Sequence, residues 1–126
     1  MYAGQSTLEI LGRLLIVAFF LITFARNTTP AGYKDHLERM QGFGVPFTHA
    51  VLCVGFLIQI VGSLLVLVNW RTDIGALLLI VFTVAATLIF HRFWIMEDPM
   101  RRNVARLFVL NNTCIVGGLV LLLARA

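Results

Sequence analysis

Four long apolar segments constrain the fold more than any other feature of the sequence. They cover approximately residues 8–25, 47–68, 74–94 and 104–124. Each has the roughly 20 residues that an α-helix needs to cross about 30 Å of hydrocarbon, and none shows the alternation of a membrane β-strand. Because a backbone in lipid must satisfy its own hydrogen bonds, the sequence predicts four transmembrane α-helices.

The composition agrees with a membrane protein. Hydrophobic residues make up 60% and charged residues 13% of the 126 residues, against roughly 45–50% and about 25% in soluble domains. The ten Lys and Arg residues lie mostly near the ends of the apolar segments or between them, where lipid headgroups meet them. We therefore expect one all-α membrane domain over residues 1–126, with membrane lipid and no nucleic acid as a partner.

A short amphipathic helix is predicted between the first two spans, over approximately residues 30–41. Thr29 precedes Pro30, which is a typical N-cap followed by proline at the first helical position. The segment is too short and too polar to span, so it is predicted to lie on the membrane surface. An irregular loop is the alternative. Asp98-Pro99 predicts that the last helix begins before the hydrocarbon.

The distribution of basic residues predicts the orientation. Four spans place both termini and the second loop on one side, which carries Arg71 and Arg125. We expect both termini outside and the loops between spans 1 and 2 and between spans 3 and 4 in the cytoplasm. The basic residues of those two loops and their flanks are Arg26, Lys34, Arg39, Arg92, Arg101, Arg102 and Arg106.

Polar residues within the first two spans mark a first candidate site. Arg13 and Gln59 are expected at similar depth, so that the guanidinium could donate a hydrogen bond to the amide oxygen. Glu9 lies four residues before Arg13 on the same helix face and offers an ion pair. One interpretation is a site for an anion, a quinone oxygen or a lipid headgroup. The other is a structural link between helices, or an Arg13 side chain that extends towards Glu9.

A second candidate site is predicted near the cytoplasmic end of the third span. Thr83, Thr87 and His91 follow one another at spacings of four, and Asn111 and Asn112 lie at a matching depth in the fourth span. A histidine there could transfer a proton or hydrogen-bond a quinone. It has no second metal ligand three or four residues away, so no metal site is predicted. Hydrogen bonding between helices is the alternative.

No self-contained catalytic motif is present. The sequence has no P-loop, no Ser-His-Asp set and no paired carboxylates within a span, so no catalytic residue is assigned. An enzymatic role would require other subunits. Cys53 and Cys114 stand alone in apolar segments without a C-x-x-C motif. They are interpreted as small packing residues, with a redox pair as the alternative.

Several short motifs, in order from Leu11 to Ala124, resemble the DoxX family of small four-helix membrane proteins. Members of that family commonly carry a glutamate in the second helix, where this chain has Gln59. That departure removes a titratable partner for Arg13. The motifs are Leu11-Gly12-Arg13, Gly42-Phe43-Gly44-Val45-Pro46, Gly62, Ala85-Ala86, His91-Arg92-Phe93-Trp94, Asn111-Asn112 and Gly117-Gly118-Leu119.

The resemblance implies a helix bundle in a membrane redox setting, in the cell (inner) membrane of a bacterium or archaeon. Relatives include a subunit of a thiosulfate–quinone oxidoreductase. We expect an accessory or structural subunit of a larger membrane redox complex, bound to other membrane-protein subunits. A quinone-linked oxidoreductase subunit is the alternative, and a small-solute carrier is the second alternative. The expected contacts to a quinone or lipid are Arg13, Gln59, His91 and Asn111.

Overall fold

The computed structural model describes Tyr2, residues 4–91 and residues 93–125. All regular elements in this part of the chain are helical. They are α1 (Thr7–Asn27), α2 (Pro30–Gly42), α3 (Thr48–Leu67), α4 (Thr72–Phe90), a 3₁₀ turn (Phe93–Ile95) and α5 (Pro99–Arg125). Four of the α-helices, α1, α3, α4 and α5, are long and apolar enough to cross a membrane. The predicted four-span helical architecture is confirmed, and Arg92 lies outside the described residues.

Side-chain caps begin three of the helices. The Ser6 hydroxyl accepts a hydrogen bond from the Glu9 N–H at 3.1 Å. The Thr29 hydroxyl accepts one from the Gly32 N–H at 3.1 Å, and the Asp98 carboxylate accepts one from the Arg101 N–H at 3.1 Å. These side chains satisfy N–H groups that have no partner within the helix. The prolines after Thr29 and Asp98 are the first residues of α2 and α5.

The ends of α4 and α5 differ from the predicted spans. Helix α4 ends at Phe90, whereas the apolar segment was predicted to continue to residue 94, and the chain forms the 3₁₀ turn instead. Hydropathy does not distinguish a continued α-helix from a 3₁₀ turn, because Phe93 and Trp94 are apolar in either conformation. Helix α5 starts at Pro99, five residues before the apolar segment, as the Asp98-Pro99 pair predicted. Helix α2 forms as predicted, and its location at the membrane surface stays a prediction.

The long helices form an antiparallel bundle in which α3 packs against α1 and α4, and α4 packs against α5. Helix α5 touches α1 less extensively, which closes the bundle. Helix α2 packs across α1, α3 and α4 at one end, which we call the α2 end. The opposite end, which we call the terminal end, carries the N-terminal segment, the α3–α4 connection and the last turn of α5.

All four long helices contribute to the buried core, and α3 and α4 approach each other most closely. A Cβ atom at Gly75 would lie 2.9 Å from the Gly62 carbonyl oxygen, and one at Gly62 would lie 3.1 Å from the Gly75 oxygen. In lipid, close packing of this kind replaces the hydrophobic effect as the force that holds helices together. The core residues are Val17, Phe20, Val66, Leu79 and Leu119.

Candidate functional site

A cavity of about 490 Å³ lies at the α2 end of the bundle. Its wall is mostly apolar and rich in aromatic rings. All five α-helices contribute to it, so the cavity exists only in the assembled bundle. Among the residues that line it are Phe20, Met40, Leu52, Phe82, Phe90 and Phe108.

The polar groups of this cavity come chiefly from α2, the end of α4 and α5. His36 and Arg39 lie on α2, His91 follows α4, and Asn112 lies on α5. An apolar cavity with a few convergent polar groups is the usual form of a site for a small organic ligand. We therefore take this cavity as the principal candidate site.

Helix α2 holds His36 and Arg39 in defined positions. The His36 ring donates a hydrogen bond from Nδ1 to the Gly32 carbonyl oxygen at 2.9 Å, since a carbonyl can only accept. This bond leaves Nε2 for a ligand. The Arg39 guanidinium lies over the Phe90 ring at 5.1 Å and 3.8 Å from an Asp35 carboxylate oxygen. Both cavity-lining groups of α2 are therefore oriented by neighbouring groups.

A second set of contacts joins α4 to α5 beside the cavity. The His91 ring stacks on the Phe108 ring, with 4.8 Å between the ring centroids. The Asn112 amide donates a hydrogen bond to the Thr87 hydroxyl at 2.8 Å, and that hydroxyl donates to the Thr83 carbonyl at 2.7 Å. Hydrogen bonding between helices is therefore present here, and it joins Asn112 to Thr87 and does not involve His91.

Of the two asparagines of α5, the structure places Asn112 in the cavity wall and leaves Asn111 exposed on the outside of the bundle. Successive residues of a helix point about 100° apart, so only one of the pair can face the cavity. His91 lines the cavity, whereas Asn111 does not.

Arg13 and Gln59 do not meet. Arg13 lies near the terminal end, where it donates to the Val66 carbonyl at 2.9 Å. Gln59 donates from Nε2 to the Phe20 carbonyl at 2.9 Å, and its buried Oε1 accepts no hydrogen bond from any described group. Phe20 lies seven residues after Arg13 on α1, which is about 10 Å along the helix. The two side chains therefore lie at different depths, contrary to the expectation that they share one.

The Arg13 side chain borders a second, polar cavity of about 560 Å³ at the terminal end. Arg71, Asp73 and Arg125 also line it, together with Glu9. Glu9 does not form the predicted ion pair with Arg13. It accepts a hydrogen bond of 2.7 Å from Arg125, because the end of α5 passes beside the start of α1.

Neither cysteine is paired with the other. Cys53 and Cys114 are both free and exposed. The Tyr33 hydroxyl lies 3.7 Å from the Cys53 sulfur and 3.2 Å from Nδ1 of His49. The hydrogen bond to Cys53, together with desolvation, raises the pKa of Tyr33 above its ordinary value. This group lies outside both cavities.

The contribution of α2 to the principal cavity was not predicted from the sequence. His36, Arg39 and Met40 follow a spacing of three and four residues, which places them on one helix face. That spacing is the feature of the sequence that could have indicated a cavity-facing side of α2. A helix assigned to the membrane surface has no evident reason to turn polar groups inward, so the face was not assigned to a site.

Comparisons with known proteins identify the family but no individual relative. No curated protein and no solved structure matches the chain. The DoxX family model matches residues 8–92, which run from the second residue of α1 to the segment just after α4. This match covers more than half of the sequence and contains His36, Arg39 and His91 of the principal cavity. The chain is therefore a membrane protein of the DoxX family.

Proposed function

We propose that this protein binds a quinone in the cavity at the α2 end, as a subunit of a membrane oxidoreductase complex. The observation that carries this proposal is a cavity of about 490 Å³ with an apolar, aromatic wall and a few polar groups. That volume lies within the range of roughly 300–1,000 Å³ that is usual for small-molecule sites. A quinone has the matching chemistry, because it is an apolar ring that carries hydrogen-bond acceptors.

The cavity is also accessible from the side on which a quinone would arrive. Val54 and Val81 line the cavity, and both are more than half exposed. Phe108 lines it and is 46% exposed. In a membrane these surfaces face lipid, where quinones are dissolved, so a ligand can enter without crossing the aqueous phase.

His36 and Arg39 supply the hydrogen bonds that a quinone needs. Nε2 of His36 donates when the imidazole is protonated and accepts when it is neutral, because Nδ1 is already committed to Gly32. It therefore suits both a quinone carbonyl and a quinol hydroxyl. Arg39 remains a donor in either case. His91, with its ring stacked on Phe108, extends the aromatic surface next to them.

A cavity-filling substitution tests whether the quinone binds here. Ala86 lines the cavity, and Ala86→Phe would occupy part of its volume. Ala18→Phe adds the same side chain at an exposed position of α1 that does not line the cavity. We expect ubiquinone-1 to bind the purified protein saturably, with at least a tenfold loss of affinity for Ala86→Phe and none for Ala18→Phe. No saturable binding to the unmodified protein would contradict the proposal.

The role of His36 is tested by a matched pair of histidine substitutions. His36→Leu removes the Nε2 group from the cavity but keeps an apolar side chain of similar size. His49→Leu removes a histidine that contacts Tyr33 and lies outside the cavity. We expect up to about a tenfold weaker affinity for ubiquinone-1 from the first change alone, since one hydrogen bond is worth roughly 0.5–1.5 kcal/mol. Equal affinities of the two variants would exclude His36 from the site.

A purely accessory role in a larger complex is the second candidate function, and the surface of α5 favours it. Only Ala105 and Leu119 of the 27 residues of α5 are buried. Asn111 is exposed, and no described group hydrogen-bonds its side chain. A polar side chain within a span usually faces protein rather than lipid, so another subunit would cover it.

Native mass spectrometry of the tagged protein, extracted from its own membranes in mild detergent, separates the two roles. Co-purification with larger subunits at fixed stoichiometry supports membership in a complex. A protein that is always recovered without other subunits, but carries a quinone, would contradict the accessory role. The same preparation tests for retained lipid.

The proposed location is the cell (inner) membrane of a bacterium or archaeon, with both termini outside. The excess of basic residues at the α2 end supports this orientation. Single cysteines introduced at Ser6 and Gln41, in a background with Cys53 and Cys114 replaced by alanine, test it. An impermeant maleimide should label Ser6→Cys in intact cells and Gln41→Cys only after lysis. The reverse labelling would invert the orientation.

A further inference from the structure

Among the described residues, the polar cavity at the terminal end is lined by one more positive than negative side chain. Its walls carry Arg13, Arg71 and Arg125 against Glu9 and Asp73. Arg125 lies 2.7 Å from Glu9, and Arg71 lies 3.6 Å from Asp73. Both carboxylates therefore have an arginine partner, and Arg13 is the charged side chain among those described in this cavity that has no ion pair.

Arg13 is the buried member of this group. Its side chain is 3% exposed. Nε donates to the Gln5 side-chain oxygen at 3.2 Å, and Nη1 donates to the Val66 carbonyl and the Thr72 hydroxyl. All three acceptors are neutral, and Nη2 donates to no described group. The Tyr2 ring, 5.6 Å from the guanidinium carbon, adds only a weak cation–π contact.

A buried charge is costly unless an opposite charge lies nearby. Glu9 is one helical turn from Arg13 and its charge acts on the guanidinium, but its carboxylate accepts a hydrogen bond from Arg125 and none from Arg13. We propose that the terminal cavity binds a phosphate-type anion, with Nη2 of Arg13 as its deepest contact. The phosphate can belong to a lipid headgroup or be free in solution. This inference concerns the opposite end of the bundle and does not depend on the quinone proposal.

The depth and chemistry of the cavity fit such an anion. Arg13 lies six residues after the start of α1, which is about 9 Å along the helix. Arg71 and Arg125 line the same cavity and are exposed, whereas Arg13 is buried. An anion can therefore meet exposed cations first and a buried one last. A guanidinium suits phosphate because its N–H groups form charge-assisted hydrogen bonds with phosphate oxygens. In Arg13 the two N–H groups of Nη2 are left for such bonds, since Nε and Nη1 already donate to protein groups.

Thermal unfolding of the purified protein in a neutral detergent tests the proposal. Inorganic phosphate is compared with chloride at equal ionic strength, and dihexanoyl phosphatidic acid with dihexanoyl phosphatidylcholine. We expect a saturable rise in Tm on the order of 5 °C at high ligand concentration. A response to both phosphate probes, or to inorganic phosphate alone, identifies a site for the free ion. A response to phosphatidic acid alone identifies a lipid site. No response beyond the controls overturns the proposal.

Substitution of Gln5 locates the anion without removing Arg13. Gln5→Glu keeps an oxygen next to Nε of Arg13 and adds the missing negative charge. We expect this variant to lose most of the Tm rise with phosphate, because the counter-charge is now part of the protein. Arg26→Gln, an exposed change at the α2 end, should keep the full rise. A Gln5→Glu variant that responds like the unmodified protein would place the anion elsewhere and overturn the assignment to Arg13.

Discussion

Arg13 of α1 lies against the last turn of α3, where Nη1 donates a hydrogen bond of 2.9 Å to the carbonyl oxygen of Val66. The same nitrogen lies 3.1 Å from the hydroxyl of Thr72, the first residue of α4. One buried side chain therefore joins three helices at the terminal end. The guanidinium makes this arrangement possible, because Nη1 carries two N–H groups that donate in different directions.

We predict that Arg13→Lys lowers the free energy of unfolding by about 2 kcal/mol, because an ammonium keeps the charge but cannot serve the same acceptors. Arg26→Lys makes the same change at an exposed position and should leave stability within about 0.5 kcal/mol. Reversible unfolding of the purified proteins in mixed micelles of increasing SDS content measures both. Equal losses in the two variants would mean that the contacts of Arg13 contribute nothing specific.

The contact between α3 and α4 at Gly62 and Gly75 predicts a steric effect. Gly75→Ala would place a Cβ atom 2.9 Å from the Gly62 carbonyl oxygen and 3.0 Å from side-chain atoms of Leu65 and Val66. Because the backbone oxygen cannot move aside without shifting a helix, we expect a loss of about 2 kcal/mol.

Gly117→Ala is the matched control for that prediction, because a Cβ atom there would meet nothing within 4 Å. Alanine in a helix is favoured over glycine by about 0.8–1.0 kcal/mol, so this variant should be as stable as the unmodified protein or more so. The SDS unfolding midpoint should therefore fall for Gly75→Ala and stay the same or rise for Gly117→Ala. A Gly75→Ala protein of undiminished stability would show that the two helices can separate at no cost.

Asn112 and Asn111 provide a comparison between adjacent identical residues. Asn112→Leu removes the hydrogen bond to Thr87, and we expect it to lower the free energy of unfolding by about 1 kcal/mol. Asn111→Leu should leave the stability of the purified protein unchanged, since its side chain has no hydrogen-bond partner among the described residues. Unfolding curves measured side by side decide this. A larger loss at Asn111 would reverse the assignment of the inner and outer faces of α5.

The buried Gln59 side chain is predicted to tolerate one apolar replacement and not another. Gln59→Leu removes one hydrogen bond to Phe20 but also removes the buried oxygen that lacks a partner. These effects oppose each other, so stability should change by less than about 1 kcal/mol. Gln59→Ala leaves a void at a fully buried position and should cost about 2–3 kcal/mol. Similar losses in both variants would show that the hydrogen bond outweighs the packing.

The sequence by itself determined the number of spans, most of their limits and the caps at Thr29 and Asp98. The physical reason is local. The thickness of the bilayer and the rise of a helix set the length of an apolar segment, and caps act within one turn. It also marked Arg13 as a buried charge that needs partners, because a cation within an apolar segment has no water to solvate it.

Only the tertiary structure decided which polar groups meet. When a span is apolar around most of its circumference, its sequence does not show which face turns towards the other helices. Asn111 and Asn112 were therefore equally good candidates for the inner face of α5. The sequence of one helix also does not specify its depth relative to its neighbours. The structure shows that Arg13 hydrogen-bonds the Val66 carbonyl, whereas Gln59 hydrogen-bonds the Phe20 carbonyl. The rotation and depth of each helix follow from packing against other helices, such as the contact of Gly62 with Gly75. The residues around a given position do not encode such contacts.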